Sequence, residues 1–144
     1  MKKISQALIS VSDKQKLKKI LQTLKKFKIK VISSGGTYKE IKRLGFKCKN
    51  VSSFTEFPEI LDGRVKTLHP KIHAGILNKR SKKSHKLEMK SSNFENIDLV
   101  IVNFYPFEKT LIETKNHDKI VENIDVGGPT MVRAAAKNYN DVTV

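Results

Sequence analysis

Short apolar runs alternate with helix-period segments along the whole chain, and that alternation admits few folds. Ala7-Leu8-Ile9-Ser10-Val11 has the length and composition of a buried strand. Leu17, Ile20, Leu21, Leu24 and Phe27 then recur at helical spacing, with lysines on the opposite face. Lys30-Val31-Ile32-Ser33 is a second strand, after which Gly35-Gly36 breaks the chain and Gly45 closes the next helix. Residues 46–51 read as a short strand, 52–58 as a turn, 79–96 as a polar surface excursion or ragged helix, and 97–102 as the clearest buried strand. Residues 120–124 suggest a short helix. Gly127-Gly128-Pro129 opens an Ala-rich helix to about Lys137, with Pro at the favoured first position. Residues 141–144 look like the start of another strand. Strand-helix repetition of this kind predicts an α/β domain with a mainly parallel sheet, and 144 residues suffice for one such domain, 1–144, but not two.

Charge raises a different possibility. A net charge of +15 attracts phosphates, so nucleic acid is a partner to consider. The positive residues are nearly all lysines spread along the chain, with Arg43, Arg64, Arg80 and Arg133 the exceptions, and no nucleic-acid-binding motif accompanies them. A solvated basic surface is the better reading. No apolar run reaches the ~18 residues of a membrane helix. Cys48 is alone and forms no internal disulfide, so the cytoplasm is the default expectation.

Residues 62–77 fit neither period and read as a ligand-holding loop: Arg64, Lys66, Thr67, His69, Lys71 and His73 crowd around Pro70. His69 and His73 are four apart, but Pro70 and the lack of a third ligand argue against zinc, so no metal is expected. Two strand-to-helix junctions share another design. Ser12-Asp13-Lys14-Gln15 and Thr37-Tyr38-Lys39-Glu40 both have capping-box spacing, with Ser12 as an N-cap. Ser10 to Lys14 and Ser33 to Thr37 thereby bring hydroxyls, glycines and backbone N–H groups to helix N-termini at strand ends, where phosphates bind. Neither is a P-loop, and each taken alone reads as an ordinary helix cap; two of them in consecutive strand–helix units strengthen the ligand reading. By spacing alone, Lys137 is a solvated lysine near a helix C-terminus.

Several ordered segments carry a resemblance: Ser10-Val11-Ser12-Asp13-Lys14, Ser34-Gly35-Gly36-Thr37, Arg64 to Pro70, Asn103-Phe104-Tyr105-Pro106-Phe107, Asp125 to Gly128, and Arg133 to Asn138. Together they resemble the N-terminal cyclohydrolase domain of the bifunctional purine-biosynthesis family that joins a folate-dependent formyltransferase to IMP cyclohydrolase. The resemblance implies a methylglyoxal-synthase-like three-layer fold. It also implies closure of the formylated aminoimidazole carboxamide ribonucleotide to IMP and water, without a cofactor. By the same resemblance, Ser12, Asp13, Lys14, Ser34, Gly35, Gly36 and Thr37 hold the 5′-phosphate and ribose. Arg64, Val65, Lys66, Thr67, Val102, Asn103, Asp125, Val126 and Gly127 surround the base. Lys66 and Tyr105 are expected to stabilise oxygen, and Asp125 and Lys137 to move protons. Phe104 and Val126 depart mildly from the family pattern. The family's transformylase domain is expected to be absent and a homodimer to form. The alternative is a phosphate-binding regulatory domain of the same fold without catalysis.

Overall fold

The computed structural model describes residues 3–144. Four parallel strands form its sheet in the order β3-β2-β1-β4. β1 (Gln6–Val11) is central, pairing Leu8 with Ile32 of β2 (Lys30–Ser33) and with Val100 of β4 (Leu99–Asn103). β3 (Lys49–Asn50) is a two-residue edge beside β2. On the far side of β4, Thr143 makes a parallel bridge to Leu99, where the sequence predicts a further strand.

Both faces of the sheet are covered, which is why its central strand is apolar without alternation. On one face Ala7, Ile9, Val11 and Val31 pack with Leu17, Leu21 and Leu24 of α1 (Leu17–Lys26) and Ile41 of α2 (Gly35–Arg43). On the other, Leu8, Ile32 and Val100 meet three helices. These are α3 (Val51–Thr55), α4 (Pro70–Leu77) and α8 (Gly127–Lys137), which contribute Phe54, Ile72, Ile76, Met131 and Ala135. The result is a helix–sheet–helix sandwich with two separate cores. The remaining helices, α5 (Lys83–Ser91), α6 (Phe107–Glu113) and α7 (His117–Glu122), have no buried residue and lie on the outside.

Several sequence expectations change here. Ser12 is not an N-cap. Asn103 Oδ1 takes the N–H groups of Ser12 and Asp13, and the Asp13 carboxylate takes that of Gln15, so α1 starts only at Leu17. Thr37 does not begin a capping box either, because its hydroxyl is spent on the Val11 backbone. Residues 46–51 shrink to the two residues of β3, and α3 begins at Val51 and takes up the first half of the turn expected at 52–58.

The second half of the predicted ligand loop is α4. Pro70 occupies its first turn, where a missing N–H costs nothing, and His69 Nδ1 accepts from the Lys71 N–H as the cap. Pro70 therefore starts a helix rather than spoiling one. Pro129 is the third residue of α8, not the first, a position equally free of the need for an N–H donor.

Candidate active site

All four strands run the same way, so their C-terminal ends lie on one edge of the sheet. A cavity of about 560 Å³ opens there, between the ends of β1, β2 and β4 and the N-termini of α2 and α8. Its size suits a small ligand.

The α2 end is built for an anion. Ser34 is extended and its side chain makes no cap, so the uncapped first-turn N–H groups of α2 stand at the cavity wall. Lys14 crosses this turn: its Nζ donates to the Ser12 carbonyl at 2.9 Å and lies 3.9 Å from where a Cβ on Gly36 would be. Lys66 approaches from the other side, its Nζ 3.1 Å from a Cβ position on Gly35, whose φ is +52°. Two ammonium groups and a helix N-terminus thus converge on one Gly-Gly turn, an arrangement that favours phosphate.

The α8 end supplies different chemistry. Asp125 Oδ1 accepts from the Gly128 N–H at 2.8 Å, while Oδ2 has no hydrogen-bond partner among the described residues. Thr67 is buried, and its hydroxyl would sit 2.8 Å from a Cβ on Gly127, so the close approach of loop and helix requires glycine there. Tyr105 and Asn103 line the wall between the two ends. Asn103 clamps the Ser12–Asp13 turn from both sides, since its Nδ2 also donates to the Asp13 carbonyl. Arg64 is paired across the cavity rim with Glu122, at the end of α7. That hydrogen bond holds the Glu122 carboxyl below its ordinary value and raises the Arg64 guanidinium.

Most residues singled out from sequence meet in this cavity: Ser12, Lys14, Ser34, Gly35, Gly36, Thr37, Arg64, Lys66, Thr67, Asn103, Tyr105, Asp125, Val126 and Gly127. Four others do not line it. Asp13 is an exposed turn residue capping Gln15, Val65 pairs its backbone with Ile60, and Val102 packs against the core. Lys137 is exposed at the last position of α8, about 15 Å along the axis from Gly127 at 1.5 Å per residue.

His69 and His73 also lie outside the lining: His69 caps α4, and burial pushes the His73 imidazole down. Burial pushes the Cys48 thiol up to about 11, consistent with an inert packing role. Asp62, Gly63, Val121, Glu122, Ile124 and Met131 line the cavity without having been singled out as site residues. Asp62 and Gly63 had a local signal, since both fall in the 62–77 segment read as a ligand-holding loop. The others arrive through tertiary packing.

A parallel sheet covered by helices on both faces, with a crevice at the C-terminal ends of its strands, defines the class of open α/β domains, whose ligands are held in that crevice. Within that class, the model of the MGS-like domain matches residues 16–130, and the chain belongs to that family. Two curated relatives are described as bifunctional purine biosynthesis protein PurH. The protein from Acetivibrio thermocellus is 53% identical over 142 residues and that from Ruminiclostridium cellulolyticum 51% identical over 142 residues. Each alignment covers 98% of this chain, and the chain spans 28% of the length of these relatives. A solved structure titled crystal structure of ForH is similar with a TM-score of 0.83 and 32% identity, covering 98% of this chain and 74% of that one.

Proposed function

We propose that this domain is an IMP cyclohydrolase that closes the formylated aminoimidazole carboxamide ribonucleotide to IMP and water. The observation that carries the reading is the convergence of Lys14 and Lys66 on the Gly35–Gly36 turn, in the same cavity as the Asp125 carboxylate and Tyr105. Similarity to the two bifunctional purine biosynthesis proteins supports the choice of substrate.

The phosphate lies at the α2 N-terminus with Lys14, leaving Lys66, Thr67, Asp125 and Tyr105 to the base. The carboxamide nitrogen attacks the formyl carbon of the same molecule, forming a C–N bond while the formyl oxygen takes the electron pair. Holding the substrate in its folded conformer supplies much of the acceleration. An amide is a poor nucleophile, so Asp125 Oδ2 receives its proton. Lys66 and the Tyr105 hydroxyl donate to the developing oxyanion. Asp125 returns its proton to that oxygen, and the resulting hydroxyl leaves as water with the proton of the former formamide N–H, which forms the C=N bond of the ring.

For Lys137 to move a proton, the far end of α8 would have to reach the cavity, so the turnover of Lys137→Ala decides its part. The proposal covers ring closure alone and includes a homodimer in the cytoplasm, the former checked by sedimentation.

The test supplies the formylated ribonucleotide to residues 1–144 without folate or metal and follows IMP. Steady IMP formation, lost in Lys66→Ala and Asp125→Asn, is expected. A folded sample that binds the nucleotide but forms no IMP overturns the catalytic reading in favour of a binding domain.

A further inference from the structure

Lys66 reaches the cavity through a corridor walled by two glycines. Gly63 has φ +85° and Gly35 φ +52°. A Cβ on Gly63 would collide with Lys66 Cε, lie 2.7 Å from its Nζ and 3.7 Å from Glu59 Oε2. Glu59 stands beside this corridor but does not line the cavity. Its Oε2 is 3.8 Å from Lys66 Nζ, with the two side chains 28% and 27% exposed. That separation is too long for a hydrogen bond and short enough for a direct attraction between unit charges. Lys66 Nζ makes no hydrogen bond among the described residues, so all its donors stay available.

We infer that Glu59 is a positioning residue for ring closure, holding the Lys66 ammonium at the cavity without occupying its donors. The inference rests on the cyclohydrolase reading above. A lysine has four freely rotating side-chain bonds and no fixed donor geometry, so its aim depends on its surroundings. Lys14 carries like charge to the neighbouring glycine, a repulsion that disfavours Lys66 at the turn. Glu59 offsets it. A carboxylate in direct hydrogen bond would compete with the oxyanion that forms during ring closure, whereas one at 3.8 Å fixes the ammonium and leaves it free to donate.

The test compares wild type, Glu59→Gln and Glu59→Asp for kcat and KM of ring closure, melting temperature, and the rate at which an amine-acylating reagent modifies Lys66, read by mass spectrometry. Glu59→Gln is expected to lower kcat about tenfold or more, the scale of a misaimed catalytic group. KM should stay within about threefold, the melting temperature should not move, Lys66 acylation should quicken, and Glu59→Asp should recover part of kcat. An unchanged kcat, or a loss that follows melting temperature or KM and is not rescued by Asp, overturns the inference. If wild type forms no IMP, the cyclohydrolase reading fails first. The acylation rate then judges the Glu59–Lys66 pair alone: faster labelling in Glu59→Gln upholds it, and equal rates refute it.

Discussion

Thr37→Val separates a structural hydroxyl from a ligand-binding one. The Thr37 hydroxyl accepts from the Val11 N–H at 3.0 Å and donates to the Val11 carbonyl at 2.9 Å, and the residue is 5% exposed. It therefore ties the start of α2 to the end of β1. Valine keeps the shape and removes the hydroxyl, so no cavity is left and the cost is polar. Two Val11 backbone groups lose their partner, at about 1–3 kcal/mol each when buried. Taking about 3 kcal/mol for the pair, a chain of this size should melt roughly 6–12 °C lower.

Calorimetry and urea unfolding measure this directly, with an unchanged urea slope expected if the native state keeps its compactness. Thr37→Ser keeps the hydroxyl and should lose only about 1 kcal/mol, for one methyl group. Phosphate affinity, measured well below the melting temperature, should change less than about threefold, since neither hydrogen bond of the hydroxyl goes to ligand. The reasoning is refuted if Thr37→Val melts with wild type while phosphate affinity collapses.

Further consequences concern the site's edges. Gly63→Ala should lower turnover by pushing Lys66 from its corridor, and should cost about 1–2 kcal/mol for a left-handed residue with a Cβ; wild-type turnover would show that Lys66 adapts. Glu122→Gln frees Arg64, so KM should fall about threefold if base binding has to break that pair. Unchanged KM means Arg64 stays at the rim. Its exposed position predicts no measurable change in melting temperature.

Burial pushes the His73 imidazole below its ordinary 6.5, and its Nε2 is buried without a partner among the described residues. The unfolded chain then binds more protons, so this contribution to stability is complete above about pH 6.5 and is lost as pH falls through the lower folded value. Denaturant titrations at several pH values should show a flatter acid limb in His73→Leu. A parallel limb would exclude His73 as its source.

Local pattern made much of the fold legible. β1, β2 and β4 follow from short apolar runs and the lysine-backed α1 from its helical period, because a strand buried on both faces is apolar throughout and an amphipathic helix records its buried face in its spacing. Helix boundaries were less accessible. The expected cap at Ser12 lost to two competitors: Asn103 of the neighbouring strand takes the Ser12 N–H, and the Asp13 carboxylate takes the Gln15 N–H that a Ser12 cap would have held. α4 was hidden because Pro70 and two polar side chains, Lys71 and His73, mask a short buried stripe of Ile72 and Ile76. α6 and α7 bury no side chain, so their sequences carry little periodicity.

The site divides the same way. Its residue types were visible in short segments: the glycines of 35–36, the polar run from Arg64 to Thr67, and Asp125 before a helix. Chemistry that depends on a local turn is written locally. Distances are not. Only the packed sheet sets Lys14 and Lys66 on either side of one Gly-Gly turn, directs Val65 and Val102 into pairing and packing, and leaves Lys137 on the surface. Glu59 and Glu122 acquire meaning only through the lysine and arginine beside them in space. The layers and the kinds of groups at the strand ends are written in the chain, because both follow from neighbours along it. Which of those groups face one another was decided by tertiary structure, because electrostatic and hydrogen-bond energies depend on separations that no local pattern encodes.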